Sequence, residues 1–137
     1  MNGKLKESAY RWIRKADNDL KNVENNLSFP ETEIPSDTLC FHCQQAAEKY
    51  FKAFLTFHEK DHPFSHNLGG LVRKCMEIDS SFNQLLIKAE ILTPYAVEFR
   101  YPSELPQPSL ADAKEAYLIA NEIKEFVINR IDSFLFK

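Results

Sequence analysis

The 137-residue chain contains only three glycines and three cysteines, and neither sign of charge is in strong excess. Three is an odd number of cysteines, which in a chain without a secretion signal favours reduced thiols over a disulfide framework. The formal net charge of −3 argues against broad, charge-driven binding to nucleic acid, because such binding needs many phosphate-neutralising Lys and Arg side chains. A local basic patch is still compatible with this composition.

The chain also lacks a long apolar run. No segment approaches the roughly 20 apolar residues that a membrane-spanning helix needs, and the first residues, MNGKLKESAYRW, lack the apolar stretch of a signal peptide. We therefore expect no membrane association and a cytoplasmic location. The length fits one domain, residues 1–137, that buries its own core.

No segment shows the sustained alternation of a strand; instead, apolar residues recur at spacings of three and four between clusters of proline. This pattern predicts an all-α fold, an antiparallel up-and-down bundle of four to five helices. A proline at position 94 is expected to kink or restart the fourth helix. The predicted helices run from about Leu5 to Leu27, from Ser36 or Asp37 to before Pro63, from Ser65–Asn67 through Ile78, from Ser81 to Phe99, and from Ser109 to Phe134.

A zinc site is the first hypothesis that the segment CFHCQQAAEKYFKAFLTFHEKDHPFSH raises, because Cys40-x2-Cys43 precedes His58-x3-His62. If the intervening residues form one helix, however, Cys43 and His58 are about 22 Å apart at 1.5 Å per residue. Tetrahedral zinc needs its ligand atoms within about 2.3 Å of the metal. We therefore expect no metal and no cofactor, with the cysteines in the core and the histidines, His66 included, on the surface.

Four segments occur in order: ADNDL (16–20), FHCQQAAEKYFKAFL (41–55), SHNLGGLV (65–72) and FRYP (99–102). Together, over nearly the whole chain, they closely resemble the HEPN domain family. The resemblance implies a helical bundle, usually a homodimer, often paired with a small nucleotidyltransferase. It also implies links to nucleotide binding, to RNA cleavage and to the toxin half of toxin–antitoxin pairs.

For family members that cleave RNA, the resemblance implies an Arg followed four to six residues later by a His, at the end of a late helix where two protomers meet. Arg100 matches the Arg position, but YPSELPQPS follows it and the His is absent. Metal-free RNA cleavage needs a group that removes the 2′-hydroxyl proton, which an Arg does not supply. A metal-independent RNase that uses Arg100 with another acid–base group, such as Glu104 or His66, is therefore an alternative hypothesis.

The second helix is predicted to carry a polar outer side formed by Gln44, Gln45, Glu48, Lys49 and Lys52. One interpretation is a solvated face with a Glu48–Lys52 pair at i, i+4. The other is a shallow polar groove that holds a nucleotide, with Lys49 or Lys52 on phosphate and Gln45 beside them.

Four further residues complete the candidate set. Asn67 is expected either to cap the third helix or, with His66, to bind an anion at its start. Arg100 is expected to contact phosphate or to pair with Asp17 or Asp19. Tyr101 either stacks on a base or packs its loop.

Three hypotheses follow for function. The leading one is a HEPN-like homodimeric module that binds a nucleotide, a cognate small nucleotidyltransferase or both, within a toxin–antitoxin pair. The second is the RNase centred on Arg100. The third is an interaction bundle with no nucleotide site, which predicts no thermal shift with any nucleotide.

Overall fold

The computed structural model describes residues 3–62, 65–96 and 107–135. These ranges contain α-helices and short 3₁₀ segments, and none of their residues forms a strand. The predicted all-α bundle is therefore confirmed. The helices are α1 (Gly3–Leu27), α2 (Ser36–Phe57), α3 (Leu68–Met76), α4 (Leu86–Leu92) and α5 (Leu110–Leu135), with 3₁₀ segments at Glu31–Glu33, Ser80–Leu85 and Thr93–Ala96.

The centre of the bundle is α2, which contacts the other four helices. Fourteen of its 22 residues are buried, so apolar side chains cover most of its circumference. Side-chain contacts between helices show their directions: α1 runs antiparallel to α2, because Asp17 binds Tyr50 whereas Asp19 binds Lys49 and His42.

Helix α2 ends at Phe57, six residues before Pro63, and the backbone geometry just after Phe57 closes it. Glu59 has a positive φ of 56°, and the amide of Lys60 donates to the carbonyl of Leu55 at 2.8 Å. A left-handed residue just after the last turn is a common way to close a helix, although glycine usually occupies it. The helix therefore stops at Phe57, earlier than the proline alone predicts.

The fourth helix was predicted to begin at Ser81, and this start is wrong. Only Leu86–Leu92 is α-helical, and 3₁₀ segments precede and follow it. Pro94 explains the end, because proline offers no backbone donor to continue the helical hydrogen bonds, while Thr93 before it keeps α-helical angles of φ −51° and ψ −44°. The predicted end at Phe99 lies outside the described residues.

The three cysteines are fully buried, as predicted. Burial, reinforced by nearby acidic residues, raises the pKa of Cys40 to about 12, and burial raises those of Cys43 and Cys75 further. In the described part of the chain, no three His, Cys, Asp or Glu side chains are grouped so that they could hold a metal ion. Across the same residues, no helix is long and apolar enough to span a membrane.

Candidate functional site

Three polar residues of α2 lie in the protein interior. Gln44, Glu48 and Lys52 are 0%, 4% and 6% exposed. The prediction that they belong to a solvated outer face is therefore wrong. The reason is tertiary packing, because Trp12 of α1 and His66, just before α3, approach this side of α2.

Glu48 is the centre of this buried network. Its Oε2 accepts a hydrogen bond from Lys52 Nζ at 2.9 Å, and its Oε1 accepts from Gln44 Nε2 at 3.2 Å and from His66 Nδ1 at 2.8 Å. Burial raises the pKa of the Glu48 carboxyl, but the hydrogen bonds from His66, Lys52 and Gln44 outweigh it and hold the pKa below its ordinary value. Glu48 is thus a buried carboxylate at neutral pH.

His66 links this network to solvent. Its side chain is 51% exposed although it bonds to a carboxylate that is only 5% exposed. Because an ionised carboxylate can only accept, Nδ1 carries the proton of this hydrogen bond. Within the described part of the chain, Nε2 has no protein partner, so it faces outward as a potential proton acceptor.

The next residue, Asn67, caps α3. Its side-chain oxygen accepts a hydrogen bond from the Gly70 amide at 3.1 Å, which satisfies one of the free donors at a helix start. The capping interpretation is confirmed. An anion at this helix start stays a prediction.

On the other side of the network, Trp12 lies between two contacts. The Lys52 ammonium is 5.5 Å from the centre of its ring, and the His62 ring meets it edge-on at 5.8 Å. Lys49, one turn before Lys52, donates to Asp19 at 2.6 Å and is part-exposed. The indole is therefore held in place beside two cations.

Exposed Arg and Lys side chains of α1 lie next to Trp12. A cleft of about 380 Å³ is lined by Ser8, Arg11, Trp12, Lys15 and Lys49. Arg11 donates to the Ser8 hydroxyl, and no acidic residue among those described pairs with Arg11 or Lys15.

A second cleft, of about 400 Å³, shares Arg11 and Lys15 with the first and adds Arg14, Asp17 and Asn18. We call the surface formed by Arg11, Trp12, Lys15 and Lys49 the polar groove. The buried network around Glu48 adjoins it through Lys52, whose ammonium lies 5.5 Å from the centre of the Trp12 ring.

The HEPN domain family model matches residues 9–131 of the chain. The chain belongs to the HEPN domain family. The solved crystal structure of TT1696 from Thermus thermophilus is similar over 88% of this chain and 96% of that chain, with a TM-score of 0.76 and 24% identity. At this identity the likeness shows a shared fold. No curated protein matches the chain.

Of the residues singled out from the sequence of this HEPN domain, Gln45, Lys49 and Lys52 lie on α2, and His66, which bonds to Glu48 of α2, and Asn67 lie just before α3. Gln45 donates to Gln44 at 2.7 Å and so extends the network. The other candidates, Arg100 and Tyr101, lie outside the described residues, as does Glu104.

The acids proposed for Arg100 have other partners: Asp17 accepts from Tyr50 and pairs with Lys124, and Asp19 pairs with His42 and Lys49. Both carboxylates that were expected to pair with Arg100 are therefore bonded to other side chains.

Sequence reasoning missed Trp12, Arg11 and Lys15. The helical pattern places Trp12 in the apolar stripe of α1, and its ring does pack against the core. The available signal was the i, i+4 spacing of Arg11 and Lys15 around the only tryptophan in the chain.

Proposed function

We propose that this HEPN domain binds a nucleotide in the polar groove, with phosphate on Lys15, Arg11 and Lys49 and the base against Trp12. The observation that carries the proposal is the 380 Å³ cleft, where Trp12 converges with Arg11 and Lys15, which have no acidic partner among the described residues, and with Lys49, which pairs with Asp19. Indole faces stack on any base, and Arg and Lys bind phosphate oxygens. Lys52, which pairs with Glu48, supports the site by holding its ammonium 5.5 Å from the centre of the Trp12 ring.

The overall charge of −3 does not oppose this proposal, because the cations are concentrated locally. Arg11, Arg14 and Lys15 occupy one exposed face of α1. A few phosphate contacts suffice for one nucleotide, whereas a long polynucleotide needs many. Binding should therefore weaken with added salt, and by less than in a basic nucleic-acid-binding protein.

The single tryptophan provides the test. Trp12 fluorescence is titrated with ATP, GTP and a short single-stranded RNA, for the wild type and for Lys15→Ala. We expect a fluorescence change on binding and an affinity about tenfold lower in Lys15→Ala, the usual magnitude for loss of one charged hydrogen bond. Lys114→Ala is the matched control, because Lys114 is an exposed lysine of α5 without a described partner. Unchanged fluorescence and melting temperature at millimolar ligand would support the interaction bundle instead.

The proposal includes a homodimer and a cognate small nucleotidyltransferase as partner in a toxin–antitoxin pair. Family membership supports this part, and no contact in the structure adds to it. Co-expression with a small nucleotidyltransferase from the same genome tests it, with co-purification at fixed stoichiometry as the expected result. Growth inhibition by this chain alone, relieved by the partner, tests the toxin role.

A second candidate function is metal-independent RNA cleavage, which the Glu48–His66 pair favours. A carboxylate bonded to one imidazole nitrogen fixes the ring and leaves the other nitrogen free to accept a proton. In this reaction His66 Nε2 takes the proton of a ribose 2′-hydroxyl, and the 2′-oxygen bonds to phosphorus. The bond from phosphorus to the 5′-oxygen breaks, that oxygen takes up a proton from solvent water, and a 2′,3′-cyclic phosphate remains.

An RNA-cleavage time course in EDTA distinguishes this reaction from binding alone. The wild type is compared with Arg100→Ala, His66→Gln and Glu48→Gln at matched concentration. Cleavage that is lost in His66→Gln and reduced in Glu48→Gln supports the pair, and loss in Arg100→Ala adds that residue to the site. Equal cleavage by the wild type and His66→Gln contradicts the role of His66.

A further inference from the structure

A larger cleft, of about 540 Å³, lies where the end of α2 meets the segment after α3 and the last turns of α5. Its apolar walls are Phe54, Ile78 and Phe134, and His58 lies among them. The volume is in the range of small-molecule sites, which combine apolar walls with a few polar groups. We call it the His58 cleft; none of the residues that line it lines the polar groove.

Aromatic rings form much of the wall of this cleft. The His58 ring is 4.6 Å from the Phe54 ring and meets the Phe134 ring edge-on at 5.1 Å. Phe54 is buried, whereas Phe134 is 46% exposed, so the rings extend from the core to the surface. Aromatic rings pack well against further rings in offset or edge-on geometry. The wall is therefore suited to a planar aromatic molecule.

The charges of the described residues that line the cleft cancel. Asp79 Oδ2 is 3.2 Å from Arg130 Nε. Hydrogen bonds from Ser81, together with Arg130, hold the pKa of the Asp79 carboxyl below its ordinary value although burial opposes them, so this pair is ionised. Burial lowers the pKa of His58, so its imidazole is neutral at pH 7. The lining thus carries one closed ion pair and no excess charge.

Three polar side chains of the cleft are open to a further hydrogen bond. Neither ring nitrogen of His58 bonds to a described residue, and the same holds for the hydroxyls of Ser80 and Ser133. Among the described residues no fully buried side-chain nitrogen or oxygen lacks a partner, so the His58 nitrogens are accessible. A neutral imidazole offers one N–H donor and one acceptor nitrogen.

We propose that the His58 cleft binds an uncharged planar aromatic molecule that carries a hydroxyl or ring N–H donor. Its ring packs against Phe134 and Ile78, and its donor binds the acceptor nitrogen of His58. A charged molecule is disfavoured, because the ion pair at the rim is already closed and the aromatic wall offers no counter-charge. This site goes beyond the proposed function, since it uses no residue of the polar groove.

The charge preference is tested with three probes that share one ring system: 2-naphthol, which is uncharged, 2-naphthoate and 2-naphthylmethylamine. Each is titrated into ¹⁵N-labelled protein, and the amide signals are followed by NMR. We expect 2-naphthol to shift signals of the residues that line the cleft, with a dissociation constant at least tenfold lower than those of the two charged probes. Equal affinity for all three contradicts the uncharged ligand class. Shifts confined to α1, around Trp12, contradict the site.

Two variants test the role of His58 and the position of the site. His58→Phe keeps an aromatic ring in the wall but removes both nitrogens, so it should weaken 2-naphthol binding about tenfold. Binding of 2-methoxynaphthalene, which lacks the donor, should be the same in His58→Phe and the wild type. Equal 2-naphthol affinity in both proteins contradicts the bond to His58.

Ser133→Trp adds bulk at an exposed position of the lining and should abolish binding without removing any core contact. Glu115→Trp is the matched control, because Glu115 is exposed on the same helix and about 27 Å away at 1.5 Å per residue. Unchanged 2-naphthol affinity in Ser133→Trp contradicts the site. Nucleotide affinity in Ser133→Trp should equal that of the wild type, so failure of either site leaves the other testable.

Discussion

Two histidines that lie eight residues apart in the chain have opposite surroundings. His66 bonds to a buried carboxylate within the polar network. His58 instead lies among phenylalanine rings, 4.6 Å from Phe54 and 5.1 Å from Phe134, and burial lowers its pKa although Asp79 opposes the shift. One environment holds a charge in the interior, and the other excludes charge.

The two environments suggest different roles for the two regions, one in stability and one in function. Aromatic packing stabilises the fold directly through buried area and ring contacts. A buried ion pair is weak evidence of stabilisation, because apolar residues of similar volume often serve as well. The polar network is thus the better candidate for a functional role, and the aromatic cluster around Phe82 the better candidate for a structural one.

The largest effect is expected for Phe82→Ala. Phe82 is fully buried and touches the rings of Phe54 and Phe126, so its removal leaves a cavity costing about 4 kcal/mol of unfolding free energy. Urea denaturation measures the loss. Phe29→Ala is the control, because Phe29 is 50% exposed and should change stability by less than about 0.5 kcal/mol.

The next effect is that of Glu48→Ala. Removing this carboxylate deletes the buried ion pair with Lys52 and the acceptor of the Gln44 and His66 hydrogen bonds, and we expect a loss of about 3 kcal/mol. Glu48→Gln should lose less, since an amide oxygen still accepts hydrogen bonds. Glu125→Ala, an exposed glutamate of α5, should have no measurable effect. Equal stability of Glu48→Ala and the wild type would contradict the view that the network is tightly paired.

A smaller effect is expected at the edge of the groove. Asp19→Asn removes the charge that holds Lys49 and His42, and the loss should be about 1 kcal/mol because the contact is only part-buried. At the same time Lys49 becomes free for phosphate, so nucleotide affinity should rise severalfold. Lower stability together with unchanged affinity would show that Lys49 does not contact the ligand.

The smallest expected effect is on the pH dependence of stability. The aromatic cluster around His58 and the polar network around Glu48 should lose stability in different pH ranges. The pKa of His58 lies below its ordinary value near 6.5, so its contribution is complete above pH 6.5 and is lost as pH falls through the lower, folded-state value. The pKa of His62 is lowered in the same direction by burial and by Lys52.

The Glu48 carboxyl, with a pKa below 4.5, gives a second loss at lower pH. His58→Leu should reduce the loss of stability near pH 6 and leave the loss at lower pH unchanged. The slope of the unfolding free energy against pH should change by the equivalent of at most one bound proton. Urea midpoints from pH 7 to pH 3 measure both.

The helical pattern of the sequence was enough to predict the bundle, because apolar residues recur at three and four spacing between the proline clusters. It was not enough to predict the buried polar network around Glu48. Glu48 and Lys52 at i, i+4 resemble an exposed pair, and only contacts from Trp12 and His66, distant in sequence, bury them. Periodicity describes one helix at a time and contains no information about which second element covers a polar side.

The same limit applies to His58. From the sequence it is a surface histidine near a helix end, yet Phe134, 76 residues later, packs against it. By contrast, the capping role of Asn67 was predictable, since the cap and the amide it binds lie three residues apart. Predictions from the sequence thus succeeded where the physical cause was local.

The central position of α2 has a consequence for folding order. Every other helix packs on it, so no helix can detach without exposing part of α2, while α2 cannot unfold without releasing all the others. Its interior amides should be the last in the protein to exchange with deuterated solvent, and only through global unfolding. With α1 its antiparallel neighbour in sequence, the α1–α2 hairpin offers the short loop closure from which such a bundle can begin to fold.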